Sequence, residues 1–198
     1  VIVVSAAVKG GVGKTTTAVY LAALAADGRR PTLIDADPQA IAADWVEQAT
    51  DPRFEKVNVV EAPTARLLTK TLGGIGPNDV AFVDLPPTHE QLLAKALEHA
   101  TVAVIPTRVG GVEGRQVEAA LDLVPEGVPA GVVICSARPY TVDYRDAIVE
   151  WAQEEIPVWG AVPERVAIAS GPERPLSPDG LEAYRMVWRE IQRAHRSS

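Results

Sequence analysis

Val8-Lys9-Gly10-Gly11-Val12-Gly13-Lys14-Thr15-Thr16 decides the fold of this 198-residue chain. An apolar run, Val1-Ile2-Val3-Val4, precedes it, and an Ala/Leu-rich stretch with helical spacing follows. Strand, glycine-rich loop, helix is the context a phosphate-binding loop requires. The three glycines let successive backbone N–H groups converge on one anion, because a Cβ there would clash or refuse the dihedrals. A helix beginning near Lys14 adds the positive end of its dipole. Lys14 is placed to bridge β- and γ-phosphates, and the Thr15 hydroxyl to ligate Mg²⁺.

Outward from the loop, apolar runs alternate with helical segments to the end of the chain, the pattern of an α/β fold with a mainly parallel sheet. The predicted strands are 1–5, 32–34, 57–60, 80–83, 102–105, 131–134 and a short 158–159. The predicted helices are 14–26, 40–48, 65–72, 90–98, 113–123, 142–154 and 180–193. Several strands are continuous Val/Ile-rich runs, as expected where helices cover both faces of a sheet. The expectation is one α/β domain over residues 1–198, with about seven strands in a three-layer P-loop sandwich. Ligands in such sheets sit at the carboxyl ends of the strands.

Two strand ends stand out. The second delivers Asp35-Ala36-Asp37-Pro38-Gln39 and the fourth Val83-Asp84-Leu85-Pro86-Pro87. Alternate residues of an extended chain point the same way, so Asp35 and Asp37 share a side near the loop. An apolar strand delivering one carboxylate, Asp84, is suited to hold the hydration shell of Mg²⁺. The Pro-Pro pair then stiffens a segment able to sense a γ-phosphate.

The general phosphate-loop pattern places glycine at position 8, where this chain has valine, with a second lysine, Lys9, next to it. K-G-G-x-G-K-T-T, D-x-D-P-Q and D-x-P-P together resemble the deviant-loop ParA/MinD family of ATPases. The resemblance covers nearly the whole chain. It implies ATP or ADP bound at Lys9, Gly10, Gly11, Val12, Gly13, Lys14, Thr15 and Thr16, and Mg²⁺ at Thr15 and Asp84 with Asp35 supporting its shell. It implies that Asp37 positions the attacking water, with Lys9 and Lys14 as the other catalytic residues. Lys9 would reach the nucleotide of a partner subunit and so couple ATP to a homodimer. Arg138 and Pro163, after the sixth and seventh strands, would lie beside the adenine. The segment Val162-Pro163-Glu164-Arg165-Val166-Ala167-Ile168-Ala169 resembles the family's V-I-P-R-N-V stretch but carries Glu164-Arg165 where Arg-Asn is frequent, and Ser170-Gly171 replace a longer insert.

The implied function is a Mg-dependent ATPase, turning ATP and water into ADP and phosphate slowly on its own. Such an engine partitions DNA: the ATP dimer holds nonspecific DNA and a ParB-type centromere-binding partner stimulates hydrolysis. The alternative is a MinD-like or cargo-positioning spatial regulator built on the same dimer switch. The tail Ile191-Gln192-Arg193-Ala194-His195-Arg196-Ser197-Ser198 has too little apolar area to anchor in lipid, so no membrane partner is expected. Enzymes that share the loop but hold an iron–sulfur cluster need cysteines this chain lacks, having only Cys135.

The net charge of −7 does not exclude DNA, because affinity follows a local basic stripe. Arg185, Arg189 and Arg193 recur at i, i+4 and i+8, with Arg196 beyond, opposite an apolar face of Leu181, Tyr184, Val187, Trp188 and Ile191. Two readings of the stripe stand: phosphate contacts, or cations meeting the dipole at a helix C-terminus. No helix-turn-helix precedes the loop, so operator-specific binding is not expected. Arg108 reads as a surface charge, Cys135 as a packed thiol, and His89, His99 and His195 as solvated. No apolar run is long enough to span a bilayer and no secretory signal is legible; the expected location is cytoplasmic, nucleoid-associated when ATP is bound.

Overall fold

A computed structural model describes residues 1–109, 113–169, 171 and 175–197, without the side chains of residues 113, 114 and 169. Ser170 and Ser198, named above, lie outside the described residues. Seven strands form one sheet: β1 (Ile2–Ser5), β2 (Thr32–Asp35), β3 (Asn58–Glu61), β4 (Ala81–Asp84), β5 (Val102–Thr107), β6 (Ala130–Ala137) and β7 (Val158–Pro163). Their spatial order is β3-β2-β4-β1-β5-β6-β7 and every pairing is parallel. The helices are α1 (Lys14–Ala25), α2 (Ile41–Gln48), α3 (Ala65–Gly73), α4 (Glu90–Leu97), α5 (Glu113–Leu121), α6 (Val142–Gln153), α7 (Val166–Ala169) and α8 (Pro178–Ser197).

Alternation along each strand explains why the strands read as unbroken apolar runs. Val3, Phe82, Val102 and Val104 face a core completed by α1, α2 and α8. Ile2, Val4, Ala81, Val83, Ala103 and Ile105 face a second core completed by α3, α4, α5 and α6. With both faces covered, neither parity of position is left for polar residues. The chain winds to one side of β1 through β2, β3 and β4, then crosses to the other for β5, β6 and β7. The carboxyl end of β1, flanked by β4 and β5, is therefore the place where the strand order reverses and a crevice opens.

Helix α1 is apolar nearly all round, as a helix enclosed by other elements must be. Val19 to Ala26 are all buried. Helix α8 crosses it closely enough that a Cβ on Gly180 would stand 2.7 Å from the Tyr20 ring. Tyr20 and Tyr184 stack at 5.0 Å between centroids, and the Tyr20 hydroxyl accepts the Ser177 N–H at 3.1 Å. The helix that follows the phosphate loop and the C-terminal helix are thus locked through one aromatic layer.

The element boundaries differ from the sequence prediction mostly at the carboxyl half. Strands β6 and β7 run several residues beyond their apolar segments, because parallel pairing continues to Ala137 and Pro163 across two register shifts. Helix α8 starts two residues early at Pro178, whose missing N–H is no loss at a helix start, and ends at Ser197 rather than Arg193. A 3-10 turn over Pro52–Lys56, capped by the Asp51 carboxylate, and the single turn α7 were not anticipated.

Candidate functional site: a loop-lined cleft beside two buried carboxylates

The loop between β1 and α1 adopts backbone that its glycines make accessible. Gly11 has φ +74° and Gly13 φ +103°. A Cβ at Gly13 would also fall 2.8 Å from the Cys135 sulfur. Two independent constraints, dihedral and contact, therefore demand glycine there. Val12 turns a buried side chain into the fold, leaving only its backbone to the loop. Lys14 is 6% exposed, and its ammonium donates to the Lys9 carbonyl oxygen at 2.8 Å. Burial lowers its pKa, while Asp84 and Asp37 pull it back.

Above the loop lies a cleft of about 610 Å³, lined among others by Gly10, Gly11, Gly13, Lys14, Thr15, Thr16 and Asp37. Pro86, Pro87, His89 and Arg108 complete its wall. Thr88, in the left-handed region at φ +59°, donates its N–H to the Val8 carbonyl at 3.3 Å and so ties the Pro-Pro segment to the loop. Lys9 is exposed and does not line the cleft of its own chain.

The register pairs Asp35 of β2 with Asp84 of β4, two carboxylates side by side at the sheet's carboxyl edge. They have different jobs. Asp35 accepts the Asp37 N–H at 3.0 Å on one oxygen and the Ala43 N–H at 2.9 Å on the other. Burial raises its pKa, against these backbone donors. Expected to support the Mg²⁺ shell, Asp35 anchors the loop that carries Asp37 and, like Asp84, is not part of the cleft wall. Both of its oxygens are engaged by amides, because the β2–α2 turn folds back over the strand end. Asp37 does line the cleft, and its own carboxylate accepts the Gln39 N–H at 2.9 Å.

Asp84 is 1% exposed and neither carboxylate oxygen has a hydrogen-bond partner. Burial pushes its pKa up to about 7; Thr15 draws it down without closing a hydrogen bond, Asp35 raises it, and Lys14 lowers it. A buried carboxylate without donors is a deficit that a cation fills. The residues fit Mg²⁺, which is held by one or two protein oxygens together with waters and phosphates rather than by a full protein cage. No cluster of three or more His, Cys, Asp or Glu able to hold a metal occurs among the described residues.

A second, smaller cleft of about 60 Å³ adjoins the first, lined by Gly13, Thr16, Arg108, Cys135, Ser136, Val162, Pro163, Arg165, Ile168 and Tyr184. It has room for a few waters rather than a purine, so a base seated there requires the cleft to widen. Pro163 is in its wall. Arg138 is in neither wall: its guanidinium pairs with Glu164 across two hydrogen bonds, one of them 2.6 Å. The arginine expected beside the adenine is thus engaged with a carboxylate at the rim. Cys135 is buried, its thiol pushed up by burial and drawn back by Thr17, Tyr184 and Arg108. Beneath it the Thr17 and Tyr184 hydroxyls are 3.0 Å apart.

Arg185, Arg189 and Arg193 are exposed along α8, while Tyr184, Val187 and Ile191 are buried on its other face. Arg193 pairs with Glu190 at 3.3 Å, and an Arg189 nitrogen lies 3.8 Å from the Met186 sulfur. Sequence reasoning missed two cleft residues, Arg108 and His89. Neither sits in a phosphate motif; only the convergence of β5 and the β4–α4 turn on the loop brings them there. Among the described residues no helix is long and apolar enough to cross a membrane.

Comparison with known proteins agrees with this geometry. The chain is 41% identical over 100 residues to the maintenance of carboxysome distribution protein A of Gloeobacter kilaueensis, a stretch covering 50% of this chain and 45% of that protein. The chain thus spans less than half the length of that relative. Against the chromosome-partitioning ATPase Soj of Thermus thermophilus it is 27% identical, with 92% of each chain covered. A plasmid partition protein of Borrelia burgdorferi bound to AMPPNP has the same fold, with a TM-score of 0.79 at 18% identity over 97% of this chain and 98% of that one. Residues 3–178 match the family described as the CobQ/CobB/MinD/ParA nucleotide binding domain, and the chain belongs to that family.

Proposed function

We propose that the protein is an ATP-driven partition ATPase whose nucleotide-bound dimer holds nonspecific DNA. The observation that carries this reading is the 610 Å³ cleft, with buried Lys14 in its wall and the donor-less Asp84 carboxylate nearby. In this reading the loop amides and Lys14 bind the phosphates, and Asp84 with the Thr15 hydroxyl holds Mg²⁺. That ion supplies charge neutralisation of the phosphates when bound. Asp37, positioned through Asp35, orients the attacking water. Chemistry of this kind is mostly positioning and charge stabilisation.

Lys9 supports the dimer. It is exposed and outside its own cleft wall, and in this reading it serves a facing subunit rather than its own nucleotide. The exposed arginines of α8 then supply a phosphate-contact surface in each subunit. A ParB-type partner that accelerates slow hydrolysis completes the cycle, and nucleoid association follows ATP binding.

A second reading, positioning of a protein cargo over DNA, is favoured by one observation: the relative with 41% identity is named for carboxysome distribution. It uses the same engine and differs only in the partner.

The test is binding to nonspecific duplex DNA with ATP, with ADP and without nucleotide, alongside sedimentation. ATP-dependent dimerisation with salt-sensitive DNA binding is the expected result. Lys9→Ala is expected to keep ATP binding and lose the dimer. A dimer that ignores DNA at low salt would overturn the DNA-partitioning reading.

A further inference from the structure

The two clefts share three residues: Gly13, Thr16 and Arg108. The first two come from the loop and the start of α1. Arg108 comes from the opposite bank, directly after β5. It is exposed, and among the described residues its guanidinium closes no ion pair and no hydrogen bond. The other cations nearby are committed: Lys14 to the Lys9 carbonyl, Arg165 to Asp179 at 3.1 Å, and Arg138 to Glu164. The charge of Arg108 still reaches the small cleft. It helps hold the Glu164 carboxyl low, after the larger effect of Arg138, and it is one of the groups that draw down the Cys135 thiol, which burial pushes up.

We infer that Arg108 is a nucleotide-binding residue that grips the α-phosphate and ribose, where the phosphate half of the ligand meets the base half. This rests on the nucleotide reading above. Position separates it from a γ-phosphate sensor. The γ-phosphate belongs beside Lys14 and Asp37, which line only the large cleft, whereas a residue common to both clefts stands at the seam between them. A guanidinium offers a planar fork of donors to a phosphate or to ribose hydroxyls. An unpaired arginine at the seam supplies that fork without breaking an ion pair first.

The inference predicts a loss shared by ADP and ATP, because both carry the α-phosphate and ribose. Titration calorimetry of the wild-type chain, Arg108→Ala and Arg108→Lys with Mg-ADP and Mg-ATP reads it. Arg108→Ala is expected to weaken both nucleotides about tenfold, leaving their ratio unchanged, the size of one charge-assisted hydrogen bond. Arg108→Lys is expected to fall between, because it keeps the charge without the fork. Unchanged affinity for both would overturn the inference, and a loss confined to ATP would overturn it in favour of γ-phosphate contact. If the wild-type chain bound neither nucleotide, the nucleotide reading itself would fall. Should the alanine variant fold poorly by circular dichroism, Arg108→Gln gives the same comparison.

Discussion

The two halves of the crevice are built differently. On the phosphate side, β1, β2 and β4 pair in unbroken register and end together, so the loop, Asp35 and Asp84 are fixed by backbone. On the other side, β6 and β7 slip register twice, and the rim is fastened by the exposed Arg138–Glu164 and Arg165–Asp179 pairs. One cleft holds about 610 Å³ and the other about 60 Å³. The phosphate half is formed before any ligand arrives. In the proposed reading the base half is rimmed by surface ion pairs, which are weak in water, and admits a base only when that rim widens.

Lys14→Ala tests this contrast most severely. It is expected to reduce affinity for ATP and ADP on the order of a hundredfold by calorimetry, through loss of a buried charged donor. A change of only a fewfold would mean that the preformed half contributes little to binding.

Gly13→Ala comes next. The φ of +103° and the 2.8 Å approach to the Cys135 sulfur should together destabilise the fold by about 2–3 kcal/mol in urea titrations. Adding Cys135→Ala is expected to recover only the contact share, about 1 kcal/mol as a coupling energy. Full recovery would show that the dihedral carries no strain.

Asp84→Asn follows, read by pH. The folded carboxyl titrates near 7, above its unfolded value of 3.8, so the native state binds the extra proton between those values. Stability of the ligand-free chain should therefore fall as pH rises from about 4 to about 7 and stay flat above. The asparagine variant should lack that slope and be more stable at pH 8 by about 1–2 kcal/mol. This is less than the shift alone implies, because its amide stays unpartnered. Equal pH slopes for the two proteins would remove Asp84 as the source of the deficit.

Glu164→Gln is the smallest. Both partners of its ion pair are exposed, so the melting temperature should not move. A clear drop would show that the base half is as firmly built as the phosphate half.

The phosphate half was legible in the sequence because its requirements are local. Glycines at positive φ, a lysine at the helix start and a carboxylate at each strand end follow from chemistry within a few consecutive residues. The base half was legible only in part. Arg138 is expected beside the adenine, yet Glu164, 26 residues later, engages it. Arg108 reads as a surface charge, yet β5 delivers it to both clefts. Asp35 reads as a magnesium neighbour beside Asp37, yet the turn into α2 brings the Ala43 amide to its second oxygen.

The sequence by itself determined the alternation of strands and helices, the phosphate loop and the basic stripe of α8, because dihedral preference and apolar periodicity act between near neighbours. Only the tertiary structure decided which carboxylate was left without donors, which arginine stood at the seam and how small the second cleft was. Those depend on distances between segments far apart in the chain, which are set by how two helical layers pack on one sheet.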